Sequence, residues 1–185
     1  MSDLVYEKHF QIKETEDEII KTSVQGWNID EKWLKIYNEF RLFCLENNCK
    51  IIPIKVLDAN KNSIVMEKID SNSISYQLNS ISKQYPNSRF DREKNQENFL
   101  IKSLVAGLDL QKNVMDFNFY LRNIISKNYY LNYKDFSLNN IHFSKEKNWY
   151  ALDPDSWRYE KTLNMNGFMM YQFTINQRLA ELCNY

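Results

Sequence analysis

The stretch Tyr133–Asp153, YKDFSLNNIHFSKEKNWYALD, decides how the rest of the chain is read. Asp135 is followed five residues later by Asn140. Two short apolar runs come next, Ile141 to Phe143 and Trp149 to Leu152, on either side of the charged, turn-prone SKEKN. Apolar runs of this length around a polar turn predict a β-hairpin. The second run ends on Asp153, immediately before Pro154. An Asp and an Asn at this spacing are common as turn caps, as is a strand-ending Asp before proline. The hairpin and the second Asp are what set the segment apart.

Upstream, Asp30 to Asn48 carries Trp33, Ile36, Tyr37, Phe40, Phe43 and Cys44 at helical spacing, with Asp30 as N-cap, so this segment is predicted helical. Before it, EIIKT (Glu18 to Thr22) is a short β-prone run, and Leu4 to Glu18 has room for one short hairpin. After it, Lys50 to Leu57 and Ser63 to Lys68 read as two strands around DANKN. These pieces predict a small antiparallel sheet with one helix. Asp70 to Ser73 is a turn-rich stretch placed to join two lobes. Beyond it the pattern turns helical at Ile74 to Gln84, Glu93 to Leu110, Val114 to Lys127 and, after the hairpin, Phe168 to Leu182. The expected class is α+β and bilobal. Residues 1–70 form a sheet-bearing N-lobe, and residues 71–185 a mainly helical C-lobe containing the hairpin.

Composition narrows the function. The 185 residues are 43% hydrophobic and 15% aromatic, enough to form a packed core in one cooperative unit. Lys plus Arg and Asp plus Glu both number 24, so no net field draws the chain to nucleic acid or to an anionic membrane. No run of about 18 apolar residues and no basic-then-apolar leader is present, and the expectation is a soluble, cytoplasmic protein. Cys44, Cys49 and Cys183 lack the paired spacing of a zinc site, and an odd count does not suggest a disulfide framework. His9 and His142, the two histidines, have no carboxylate or thiol at ligand spacing.

The Tyr133–Asp153 segment resembles the catalytic loop and metal motif of the protein-kinase-like superfamily, nearest to its small-molecule and atypical members. The resemblance makes Asp135 the residue that orients the acceptor hydroxyl, and Asn140 and Asp153 the ligands of Mg2+. In ALDPDSW, Asp155 is an alternative to Asp153 as metal ligand. The first half fills the remaining roles in order. Lys21 in EIIKT resembles the strand lysine that holds ATP phosphates, and Glu39 in NEFRLF the helix glutamate that pairs with it. SIVMEKID resembles the strand leading into the hinge, with Met66 as gatekeeper and the Glu67 and Ile69 backbone facing adenine. Taken singly, Lys21 reads as a solvated edge-strand lysine and Glu39 as an exposed flank residue. Order and spacing carry the match, which spans roughly Glu18 to Asp155.

Departures from the pattern are equally visible. Gly26, Gly107 and Gly167 are the only glycines, so the first hairpin has no glycine-rich turn over the phosphates. Tyr133 and Lys134 stand where the family has His and Arg or Gly, which removes a contact that organises the loop. Only 32 residues follow Asp153. The resemblance implies an ATP- and Mg2+-dependent phosphotransferase acting on a hydroxyl of a small molecule or protein. The alternative is a pseudokinase that keeps the fold as a protein-binding module.

Overall fold

The computed structural model describes residues 5–7, 10–23, 29–124 and 129–183. Two strands open the chain, β1 (Val5–Glu7) and β2 (Phe10–Glu14), followed by β3 (Glu18–Ser23). The helix α1 (Glu31–Glu46) begins where Asp30 accepts the Trp33 N–H at 2.7 Å, satisfying one of the orphan amides of its first turn. Trp33, Ile36, Tyr37, Phe40 and Cys44 form its buried stripe. Each large apolar side chain so buried stabilises the fold by roughly 1.5–3 kcal/mol. The stripe lies against the sheet of the first lobe and against α3 (Arg89–Ile124), where Phe40 and Phe117 meet with ring centroids 5.0 Å apart.

Beyond α1 come β4 (Ile51–Pro53), β5 (Val56–Ala59) and β6 (Ser63–Glu67). The first lobe is a five-stranded antiparallel sheet in the order β1-β2-β3-β6-β5, with α1 crossing over between β3 and its neighbours. This is the sheet-plus-helix lobe expected from the sequence, with one correction. Lys50 to Leu57 is not a single strand. Pro53, lacking an N–H, closes β4, which leaves the sheet and pairs in parallel with β10 (Trp149–Ala151).

β7 (Ser71–Ser73) leads into α2 (Ile74–Gln84), capped by the Ser73 hydroxyl on the Tyr76 N–H. Glu93 to Leu110 and Val114 to Lys127 are not separate helices up to Ile124. They are the single α3, carried across Gln111–Asn113 by buried Leu110 and Val114, the Lys112–Asp116 pair and the Asn113 amide on the Asp109 carbonyl; residues 125–127 lie outside the described residues. β8 (Tyr130–Tyr133) follows, and then the predicted hairpin forms as β9 (Ile141–Ser144) against β10. A 3-10 turn, Pro154–Ser156, leads to β11 (Trp157–Glu160), which pairs with β8, and α4 (Asn166–Cys183) closes the chain. The sequence reading had no β8–β11 pair. The hairpin sits inside a four-stranded sheet, β4-β10-β9-β7, so strands from both sides of α2 and α3 hold the segment between Asp135 and Asp153. Among the described residues no helix is long and apolar enough to cross a membrane.

Candidate active site

Lys21 projects from β3 into the space between the lobes. It is only 5% exposed, so its ammonium must be paired to be tolerated there. It donates to Asp153 Oδ1 and, at 2.7 Å, to Asp155 Oδ1, while the Phe10 ring of β2 lies 4.0 Å from it. Phe10 therefore covers the lysine from the first strand pair, between whose strands residues 8–9 lie outside the described residues.

Both carboxylates are held by the backbone after β10. Asp153 adopts a left-handed conformation (φ 66°, ψ 63°), which costs a non-glycine residue on the order of 1 kcal/mol and is least unfavourable for Asp and Asn. The Ser156 hydroxyl donates to its other oxygen, Oδ2, and the 3-10 turn then carries Asp155 back toward Lys21. Burial pulls the Asp153 carboxyl upward, but Lys21 together with hydrogen bonds from Asp155, Lys21 and Ser156 holds it below the usual range. Asp155 goes the other way: burial and the neighbouring Asp153 charge push it up to about 6. Burial opposes the charge on Lys21, yet the two carboxylates outweigh it and raise its pKa. The cluster behaves as one cation shared by two carboxylates, one of which takes a proton readily.

Asp135 stands across the hairpin and is exposed. The Asn140 side-chain amide donates to Asp135 Oδ2 at 3.0 Å and to the Asp135 carbonyl at 2.9 Å, closing the five-residue loop. The Asn140 carbonyl accepts the Leu152 N–H at 2.9 Å, which ties the loop to the residue before Asp153. With its nitrogen turned onto Asp135, Asn140 keeps its side-chain oxygen for other partners. That oxygen and the Asp153 carboxylate suit magnesium, which takes one or two protein ligands and fills its other positions with water and phosphate oxygens. Among the described residues no group of three or more His, Cys, Asp and Glu could hold a metal ion.

The hinge-side residues are placed as follows. Met66 is buried in β6, and Ile69 packs at the edge of the core. The Glu67 N–H donates to the Lys55 carbonyl at 3.0 Å, so the Glu67 amide is already taken within the sheet. The Lys21–Glu39 pair expected from the sequence is not formed. Glu39 lines a surface cleft with Leu42, Phe43, Phe117 and Tyr120, one step around α1 from the buried stripe, while Asp153 and Asp155 take the lysine. A different ion pair joins α1 to β6, Arg41 with Glu67 at 3.6 Å.

Three residues were missed or misread in sequence. Tyr133 does supply a loop-organising contact: its hydroxyl donates to the Leu152 carbonyl at 2.8 Å, beside Asp153, and its buried ring stacks on Trp157 with centroids 4.3 Å apart. Lys134 pairs with Glu160 at 2.5 Å. At Gly167, in the first turn of α4, an added Cβ would lie 2.6 Å from the Tyr133 carbonyl and 3.0 Å from that of Lys134, so only glycine lets the helix press against the loop. The contact forms one wall of a cavity of about 500 Å³ that opens beside Asp135. His142 packs in the hairpin, with its ring nitrogens 3.2 Å from Ser71 Oγ and 3.1 Å from the Asn139 carbonyl.

No family model and no curated protein matches the chain. Among solved structures it is similar to the streptomycin–ATP–APH(2″)-IIa ternary complex at 15% identity, covering 87% of this chain and 67% of that one, with a TM-score of 0.36. It is similar to macrolide 2′-phosphotransferase type I at 8% identity, with 98% and 75% covered and a TM-score of 0.36. It is also similar to choline kinase LicA from Streptococcus pneumoniae at 10% identity, with 98% and 74% covered and a TM-score of 0.38.

Proposed function

We propose that the protein is an ATP- and Mg2+-dependent phosphotransferase that moves the γ-phosphoryl group to a hydroxyl of a small molecule. The observation that carries this reading is the meeting of Lys21 with Asp153 and Asp155 across 132 and 134 residues of sequence, beside a loop in which Asn140 holds Asp135. Phosphoryl transfer needs charge placed around the phosphate oxygens and an acceptor held in line, with little other chemistry from the protein.

In this reading Lys21 leaves its carboxylates for the phosphates, and Asn140 and Asp153 hold Mg2+, with Asp155 as the alternative ligand. When bound, the metal neutralises charge on the phosphates. Asp135 has one carboxylate oxygen fixed by Asn140 and offers the other to the acceptor hydroxyl, orienting it and receiving its proton. Met66 backs the adenine, and the Glu67 carbonyl and Ile69 amide are its backbone contacts. The cavity beside Asp135 is where the acceptor sits. Its lining has one carboxylate, Asp135, against Lys134 and Arg178, which suits a neutral or anionic alcohol better than a polycation.

One observation favours the alternative of a nucleotide-free scaffold: both site carboxylates already close on Lys21, and Glu39 is not there to receive it. Thermal unfolding with ATP and Mg2+ separates the two readings. A metal-dependent rise in the melting temperature that disappears in Asp153→Ala is expected, because a ligand bound only by the folded state must stabilise it. No rise in the wild-type protein would sink the phosphotransferase reading.

A further inference from the structure

The helix α3 has two apolar faces. One packs inward through Leu100, Ala106, Leu110, Val114, Phe117 and Leu121. The other is Ile101, Val105, Leu108, Met115 and Phe119, spaced four, three, seven and four apart, with Lys112 at the position that completes the alternation of four and three. That is the repeat of a coiled-coil seam, held over about five turns. Ile101, Val105, Leu108 and Met115 are 43% to 53% exposed and Phe119 is 74% exposed, so among the described residues no element covers the outer side of the seam. A surface helix with one core to serve does not need a second apolar stripe.

We propose that this seam is the interface of a homodimer in which α3 packs antiparallel against α3 of a second copy. Self-complementarity argues for a second copy, because a two-fold interface must satisfy each contact twice. Running antiparallel, Ile101 meets Phe119 of the second copy, Val105 meets Met115, and Leu108 meets Lys112. Beside Ile101 lies an open apolar cavity of about 420 Å³, lined by Phe99, Val105, Phe143 and Trp149 and rimmed by Lys50, Lys102 and Lys147. Phe119 of the second copy, the most exposed ring of the seam, is the knob that fits this hole, and Asp116, one turn before it and paired at the surface with Lys112 of its own helix, lies on the side of the lysine rim and exchanges one exposed lysine partner for several. The parallel arrangement in register would instead set Lys112 against Lys112 and leave the cavity unfilled, so charge and shape both select the antiparallel one.

Light scattering on the full chain across the micromolar range, after size exclusion, tests the proposal. A dimer is expected. Phe119→Lys is expected to weaken it at least about tenfold while moving the melting temperature measured at monomer concentrations by no more than a surface substitution does, since Phe119 is 74% exposed within one copy. Lys102→Glu and Asp116→Lys are each expected to weaken the dimer, and the double variant to recover it. In a Cys183→Ser background, Ile101→Cys together with Phe119→Cys is expected to cross-link under oxidised glutathione, and Ile101→Cys alone is not. A monomer at every concentration, a dimer untouched by Phe119→Lys, or cross-linking through Ile101→Cys alone would each overturn the proposal.

Discussion

Lys21, Asp153 and Asp155 are charges taken out of water and balanced against one another, whereas Asp135 and Asn140 stand at the surface and are held by two hydrogen bonds within a five-residue loop. The first group ties β3 to the segment after β10, so it bears on stability and on chemistry at once. The second, in the proposed function, bears on chemistry alone. A residue's effect on activity therefore means different things on the two sides of the hairpin, and each side has its own controls.

The largest expected effect is that of Lys21→Met. It leaves two partly buried carboxylates facing each other without a cation, and breaking a largely buried ion pair by removing one partner costs about 3 kcal/mol. Denaturant unfolding should show that loss along with loss of any ATP-dependent stabilisation. A cost as small as that of a surface substitution would mean the cluster is not a structural element. Gly167→Ala comes next. The new Cβ meets two backbone carbonyls that cannot swing aside, so α4 must move off the loop, at about 2 kcal/mol and with a change in acceptor binding.

Asp155→Asn is expected to act in the opposite direction. The folded protein holds the Asp155 proton up to about pH 6, whereas the unfolded chain releases it near 3.8, so this group makes stability fall as pH rises from about 4 to about 6. Removing it should flatten that part of the profile and raise stability at pH 7 by roughly 1 kcal/mol, visible as a melting shift of a few degrees. Asp153, held below its usual range, contributes the reverse dependence, with stability lost as pH falls through its folded value. The smallest effect on stability is expected for Asp135→Asn, within about 0.5 kcal/mol of wild type, although turnover should be lost. If Asp135→Asn unfolded the protein, or left turnover unchanged, the division between the two sides would fail.

Much of the architecture was legible because it is local. The Asp30 cap, the stripe of α1 and the hairpin around SKEKN are set by residues near one another in sequence, and they form where expected. The unread parts depend on distant partners. Tyr130–Tyr133 is a strand only because Trp157–Glu160 lies beside it, and α3 runs unbroken because packing on both sides of Gln111–Asn113 outweighs its weak local pattern. In the candidate site, the residue types and their order along the chain were visible, but the pairing of Lys21 was not. On a helix of 3.6 residues per turn, Glu39 lies about 100° around from Phe40, and that angle decides whether a carboxylate faces the cleft or the surface.

The parallel pairing of β4 with β10 has a further consequence for how the molecule comes into being. A strand laid down between α1 and β5 finds its partner nearly a hundred residues later, and Lys21 waits still longer for Asp153. Such distant closures make folding slow and all-or-none, because the entropy of closing the loop is lost before the contacts that offset it exist. A nascent chain released before Trp149 would hold every residue of the first lobe and still lack the strand and the carboxylates that complete it. The first lobe is thus an assembly finished from the far end of the polypeptide, and separate fragments ending and beginning at residue 70 would need each other to become ordered.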